Sequence, residues 1–164
     1  MTGARLRVEL LRSGRVRHPS AAQIRSWASA ALGRRAPGRE LAVRIVGRGE
    51  SRRLNRRFRG RDAPTNVLSF PATAAAWPVD APGLGDSRGA AAPLGDLVLC
   101  SPVVVDEARD QGKPVRAHWA HLVVHGTLHL IGYDHERAAD ARRMERREIA
   151  VLKRLGFANP YRSA

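Results

Sequence analysis

The sequence predicts an α+β fold, with one small mixed β-sheet of about four strands packed with about five helices. Short apolar runs of strand length alternate with longer segments in which apolar residues recur at helical spacing. At 164 residues, 43% of them hydrophobic, the chain has the size and apolar content of one domain with a real core. We see no internal repeat, so we expect a single domain over residues 1–164.

The expected helices and strands follow from the periodicity of apolar residues and from the glycines and prolines that interrupt it. Gly33 and the Pro37-Gly38 pair end the first helical segment, Pro71 ends a short strand, Pro102 suits a first helical turn, and Gly156 is a natural helix end. The expected strands are residues 6–11, 41–46, 67–71 and 94–100; the expected helices are 19–32, 49–58, 101–110, one opened by Pro114, and 136–155.

Two helices and one loop carry further expectations. Helix 49–58 should point Leu54 and Phe58 inward and its arginines outward, either as a solvated face or as one that contacts nucleic acid. In the last helix, we expect Glu145 and Glu148 to pair with nearby arginines. Residues 72–93, rich in alanine, glycine and proline, should form a mobile surface loop.

The charge of the chain points to a polyanionic partner. Its formal charge is +14, from 29 Lys+Arg against 15 Asp+Glu. Nucleic acid is the first expectation and a membrane surface the second. The alternative is that an arginine-rich composition reflects the source genome.

The chain gives no signal for secretion or for a membrane span. Arg5, Arg7 and Glu9 interrupt any apolar signal-peptide core, and we find no run of about 20 apolar residues. The single cysteine, Cys100, lies in a strand-like run, where we expect a small core residue rather than a nucleophile. Without an internal disulfide, the expected location is the cytoplasm.

A histidine run predicts a metal site. His125 and His129 are four residues apart, so on a helix their β-carbons lie about 5–6 Å apart on one face. Gly132 is where that helix can end in a left-handed residue, and the chain can then turn back to bring His135 close. Three imidazoles leave a fourth position for water, as in catalytic zinc sites. The alternative is a set of satisfied core histidines.

Two further histidines, His118 and His121, precede this run on the same helix. With His125 and His129 they fall in one arc of about 80° on a largely apolar helix. Such a row is hard to satisfy with protein partners alone. We expect His118 and His121 to line the pocket or to support the ligands, and either could be a catalytic proton donor.

One position separates this run from the zinc-protease pattern H-E-x-x-H-x-x-G-x-x-H. Gly126 replaces the glutamate that serves as general base in those proteases. Ligand spacing without that base favours a different hydrolysis, one in which the metal itself supplies the acidified water.

The histidine run resembles the signature of the YbeY endoribonucleases, a family of bacterial RNA-maturation factors. The similarity covers roughly residues 40–155, and Asn66 stands where many members carry Asp. The matching blocks are Leu54-Asn55 through Phe58-Arg59, Asp62 through Pro71, Leu94-Gly95-Asp96, His125 through His135, and Met144-Glu145 with Glu148.

The resemblance implies a zinc-dependent endoribonuclease specific for single-stranded RNA, with His125, His129 and His135 holding one Zn²⁺. It implies a role in ribosomal RNA maturation, notably at the 3′ end of the small-subunit RNA, and in ribosome quality control. The expected partners are ribosomal RNA and the small ribosomal subunit or its proteins, without a membrane.

The resemblance also makes Arg59 a functional residue near the metal, where it could stabilise charge on a phosphate. From composition alone, Arg59 would be an ordinary loop arginine. Asp134 is expected to orient a ligand histidine. Two other functions stay open: an RNA- or ribosome-binding assembly factor with a structural metal, and a metalloprotease. The sequence does not decide between water and the RNA 2′-hydroxyl as the nucleophile.

Overall fold

The structure is a computed structural model that describes residues 5–72 and 92–162. Within them lie four strands and five α-helices, which confirms the predicted α+β class. Of the loop predicted over residues 72–93, residues 73–91 lie outside the part of the chain that the structure describes. The strands are β1 Arg7–Arg12, β2 Arg39–Val46, β3 Val67–Pro71 and β4 Ala92–Cys100; the helices are α1 Ala21–Leu32, α2 Arg48–Arg59, α3 Ser101–Asp110, α4 Val115–Leu130 and α5 Ala138–Arg154.

Some element boundaries differ from the prediction. Helix α1 starts at Ala21 because Ser20 is its N-cap. The Ser20 hydroxyl accepts a hydrogen bond from the backbone N–H of Gln23 at 3.1 Å, and the Gln23 side chain accepts one from the Ser20 N–H at 2.9 Å. Strand β4 starts two residues early, at Ala92, which is in register with Arg39 of β2.

The sheet is mixed, in the order β1-β2-β4-β3. Strands β1, β2 and β4 run parallel, while β3 pairs antiparallel with β4, with Val67 opposite Leu99 and Phe70 opposite Asp96. This order leaves β3 at one edge of the sheet. Residues of β3 and the three predicted metal ligands line one cleft.

Alternation along the strands divides the apolar side chains between two faces. On one face, Leu41, Val43 and Ile45 pack in a core that includes residues of α1, α4 and α5. On the other face, a smaller cluster contains Leu54 of α2 and Cys100 of β4. Cys100 is fully buried, which confirms it as a core residue.

None of the helices in the described parts of the chain is both long enough and apolar enough to cross a membrane. The apolar helix α4 has 16 residues, and it packs within the core of the domain.

Candidate metal centre

Helix α4 is held close to the sheet edge by a glycine. A β-carbon at Gly126 would lie 2.8 Å from Leu97 Cδ2 and 3.3 Å from Val67 Cγ2. The Ser69 hydroxyl donates to the Gly126 carbonyl oxygen at 3.2 Å, which joins β3 to the helix. The glycine that replaces the protease base therefore serves packing, because it lets α4 approach strands β3 and β4.

The end of α4 turns the chain back toward its own ligands, as predicted. Gly132 has a φ of +99°, and its N–H donates to the His129 carbonyl at 3.1 Å. The N–H of Tyr133 donates to the Leu128 carbonyl at 3.1 Å, which completes a Schellman-type helix end. Asp134 Oδ1 then accepts from the N–H of His135 at 2.6 Å. Asp134 thus orients the backbone that carries a ligand histidine.

The three predicted ligands converge at one point. His125 Nε2 and His129 Nε2 are 3.1 Å apart, and His135 Nδ1 lies 3.2 Å from His129 Nε2. At a metal–nitrogen distance of about 2.0–2.1 Å, tetrahedral geometry places two ligand nitrogens about 3.3–3.4 Å apart. The separations in the structure are close to this spacing, so the three histidines could hold one ion.

In two of the predicted ligands, the hydrogen bond made by Nδ1 fixes the tautomer of the ring. His129 Nδ1 donates to the Tyr133 carbonyl oxygen at 2.9 Å, and His125 Nδ1 donates to Glu148 Oε1. With the ring proton on Nδ1, each neutral imidazole carries a lone pair on Nε2. Two lone pairs facing each other at 3.1 Å repel, and a shared cation relieves that repulsion. The donor set therefore fits a divalent metal ion.

The environment of His129 keeps its imidazole neutral. Burial, followed by the neighbouring rings of His125 and His135, lowers the pKa of His129 to about 4 from its ordinary 6.5. The Tyr133 carbonyl and Asp134 oppose this shift. A neutral imidazole at neutral pH is the form that binds a metal.

Glu148 is the main outer partner of the ligands, and its predicted pairing with arginines is wrong. Its side chain is 1% exposed on α5, where Oε1 accepts from His125 Nδ1 and Oε2 from the Tyr161 hydroxyl. His121 Nε2 lies 3.7 Å from Oε1. Burial alone would raise the pKa of Glu148, but nearby His121 and the hydrogen bonds from His125 and Tyr161 lower it to about 2. The carboxylate is therefore ionised.

A signal for Glu148 was present in the sequence. Met144, Glu148 and Leu152 follow one another at intervals of four residues, and all three are buried on the same stripe of α5. An acidic residue on an apolar stripe indicates a buried partner. The histidines that Glu148 contacts are distant from it in sequence. The spacing of residues within α5 therefore does not reveal which residues are its partners.

Arg59 lies in the same cleft as the three ligands. This open cleft of about 700 Å³ is lined by Arg59, Ser69, His125, His129 and His135, among other residues. The Arg59 guanidinium donates to the Ser69 carbonyl oxygen at 3.0 Å and lies 5.1 Å from the centroid of the Phe70 ring. These contacts hold an exposed cation along β3.

Buried polar residues of α2 position the loop that leads from Arg59 to β3. The Ser51 hydroxyl donates to the Thr65 carbonyl at 3.0 Å and accepts from the Thr65 N–H at 2.9 Å. The Asn55 amide donates to the Ala63 carbonyl at 2.8 Å. The outward arginines of α2 are exposed as predicted, while Leu54 is buried.

His118 and His121 lie beside this cleft and are not among the residues that line it. His118 is 4% exposed, and its Nε2 donates to Glu107 Oε2 at 2.7 Å. Burial lowers the pKa of His118, although Glu107 opposes the shift. The amide of Asn66 donates to both Glu107 oxygens, at 3.2 and 3.1 Å. This geometry favours support of the site, and a role in proton donation stays a prediction.

Comparison with known proteins identifies the family of the chain. A family model described as Endoribonuclease YbeY matches residues 15–156. The chain belongs to the YbeY family. An Endoribonuclease YbeY of Alkalilimnicola ehrlichii is 52% identical over 160 residues, covering 96% of this chain and 90% of that protein. One of Methylococcus capsulatus is 54% identical over 144 residues, covering 88% and 87%. The YbeY resemblance predicted from the histidine run is thus confirmed.

A solved structure shares the fold. The solution structure of TM1509 from Thermotoga maritima matches with a TM-score of 0.53 and 21% identity, covering 94% of this chain and 99% of that one. At this identity the match supports the fold alone, and it agrees with the α+β architecture.

Proposed function

We propose that this chain is a zinc-dependent endoribonuclease specific for single-stranded RNA. One observation carries the proposal: the ring nitrogens of His125, His129 and His135 converge beside Arg59 in an open cleft. Its YbeY relatives are named as endoribonucleases. The proposed substrate is ribosomal RNA, at the 3′ end of the small-subunit RNA, with a further role in ribosome quality control in the cytoplasm.

The three histidines would hold one Zn²⁺ per chain through His125 Nε2, His129 Nε2 and a ring nitrogen of His135. When bound, the ion supplies Lewis-acid chemistry that activates water and polarises a phosphoryl oxygen. Glu148 and the Tyr133 carbonyl hold the protons of two ligand rings away from the shared point. The histidines thereby present lone pairs without any proton transfer inside the cluster.

Arg59 is the proposed phosphate-binding residue. A guanidinium carries five N–H donors, so its hydrogen bonds to Phe58 and Ser69 leave further donors for a phosphate. Paired donors match phosphate oxygens and stabilise the charge that grows on them in the transition state. The formal charge of +14 adds attraction for a polyanionic strand.

His118 and His121 are proposed to take part in proton transfer from a cavity next to the main cleft. They line a neighbouring cavity of about 360 Å³ whose wall includes Asn66 and His125, which also line the main cleft. One of them would pass a proton to the leaving oxygen, and Asp134 would keep the turn that carries His135 in place.

The proposal is tested by elemental analysis combined with RNA cleavage. Purified protein should contain about one zinc per chain, and it should cleave single-stranded RNA in a reaction that a chelator abolishes and added zinc restores. Analysis of product ends identifies the nucleophile, since a 2′,3′-cyclic phosphate indicates the RNA 2′-hydroxyl. Metal-loaded protein that cleaves peptides and not RNA would contradict the proposal, and chelator-insensitive cleavage would indicate a contaminant.

A further inference from the structure

The chain continues past the residues that the family model matches. The family model matches up to Gly156, and the structure describes a further C-terminal segment, residues 157–162. The N–H of Phe157 donates to the Leu152 carbonyl at 2.9 Å, and Lys113 Nζ donates to the Pro160 carbonyl oxygen. The first contact closes the end of α5, and the second holds the C-terminal segment against the turn that precedes α4.

Tyr161 is the residue of this segment that reaches toward the metal centre. Its hydroxyl donates to Glu148 Oε2 and lies 3.4 Å from His121 Nε2. Its ring meets the His121 ring edge-on, with centroids 5.4 Å apart. The N–H of Tyr161 donates to Asn159 Oδ1 at 2.9 Å, which fixes the local backbone. The side chain therefore has a defined place although Tyr161 is 46% exposed overall.

Glu148 depends on both of its hydrogen-bond partners. A buried carboxylate left with one oxygen unpaired bears a desolvation cost, so it tends to rotate toward another donor. His125 occupies Oε1 and the Tyr161 hydroxyl occupies Oε2. Loss of the hydroxyl would free one end of the carboxylate that holds the Nδ1 proton of His125.

We propose that Tyr161 is a positioning residue of the metal centre, which acts through Glu148 on the ligand His125. This inference rests on the metal site of the proposed function. A carboxylate that accepts the outer N–H of a ligand imidazole fixes the ring orientation and makes its other nitrogen a stronger ligand. Tyr161 holds that carboxylate, so the C-terminal segment is part of the metal-binding unit.

The test measures metal affinity, which does not depend on RNA cleavage. Zinc and Co²⁺ affinities are determined by competition with a chromogenic chelator, and the Co²⁺ absorption spectrum reports ligand geometry. Glu148→Gln removes the carboxylate that accepts directly from a ligand histidine, and it should weaken metal affinity about 10–100-fold. Tyr161→Phe removes a residue one hydrogen bond further from the metal, and it should weaken metal affinity about 3–10-fold. Arg162→Ala alters an exposed neighbour in the same segment and should leave affinity unchanged.

Two further measurements separate positioning from general stabilisation. Metal-free Tyr161→Phe should still unfold in one cooperative transition, with a lower melting temperature than metal-free wild type because the hydroxyl no longer pairs with the buried carboxylate. In a Glu148→Gln background, Tyr161→Phe should have less effect on affinity than it has alone, because the two residues act as a chain. An unchanged affinity in Tyr161→Phe, or fully additive effects, would overturn the inference alone. A wild-type protein that binds no metal would remove the proposed function as well.

Discussion

Gly126 packs directly against Leu97, with room for a hydrogen atom and not for a methyl group: a β-carbon there would lie 2.8 Å from Leu97 Cδ2. Leu97 is itself fully buried, so it has little freedom to move away. The contact sets how close the histidine helix lies to the edge strand that carries Ser69.

Replacing Gly126 by valine should therefore destabilise the protein. Overpacking of this kind lowers the free energy of unfolding by about 1–3 kcal/mol. The control is Gly49→Val at an exposed position on α2, where an added β-carbon meets nothing within 4 Å. Denaturant unfolding of both variants makes the comparison. Equal stabilities for the two would mean that α4 does not lie as close to the sheet as described.

Removal of one ligand should remove the metal. His129→Ala leaves two histidines at the centre, and we expect the zinc content of the purified protein to fall from about one per chain to near zero. His18→Ala, at a histidine in the segment before α1, is the matched control and should retain the ion. Elemental analysis after dialysis measures both. Full zinc retention by the His129 variant would exclude the three-histidine site.

Arg59→Ala should impair RNA cleavage while sparing the fold. The lost donors act on a phosphate, and removal of one such group costs about 10²–10³-fold in rate in well-studied enzymes. The control is Arg53→Ala on the same helix, whose side chain is 70% exposed and pairs with Glu50. Zinc content and melting temperature should be the same in both variants. If both cleave RNA at the wild-type rate, Arg59 has no role in the reaction.

The lowered pKa of His129 predicts how the metal-free protein responds to acid. Below the ordinary pKa of 6.5 the unfolded chain takes up a proton at this residue, whereas the folded chain does so only below about pH 4. Protons therefore favour unfolding in this window, and the stability contributed by neutral His129 is lost as the pH falls from 6.5 to 4.

The measurement is the pH dependence of unfolding in the presence of chelator. Wild type should lose stability over that window faster than His129→Gln, because the variant lacks the titrating ring. Parallel curves for the two proteins would show that His129 titrates normally in the folded state. Titratable groups that do not contact His129 contribute equally to both curves, so the difference reports His129 together with the neighbouring rings of His125 and His135.

The sequence predicted the parts of the site that depend on local geometry. His125 and His129 are placed by helical periodicity, and Gly132 and Asp134 shape the turn that returns His135. All of these lie in one run of the chain. The periodic apolar segments likewise predicted the strands and helices, with boundary errors where a cap such as Ser20 decided the start.

The parts that escaped prediction depend on contacts between distant residues. Glu148 lies 23 residues from His125, so its place on an apolar stripe of α5 indicates a buried partner without showing which residue that partner is. Tyr161 follows the last regular element, where no periodicity indicates which way a side chain points. Buried His118 pairs with partly exposed Glu107, and only the packing of α3 against α4 brings these two residues together.

The three histidines lie within a run of eleven consecutive residues, from His125 to His135. Their convergence requires only one helix and the turn after it, whereas the approach of Arg59 requires the whole sheet to be assembled. We therefore expect that a chain in which β3 has separated from α4, while α4 and α5 stay packed together, can still bind an ion. Metal content by itself would then overstate the fraction of active molecules in a preparation. Active-site titration with RNA measures that fraction directly.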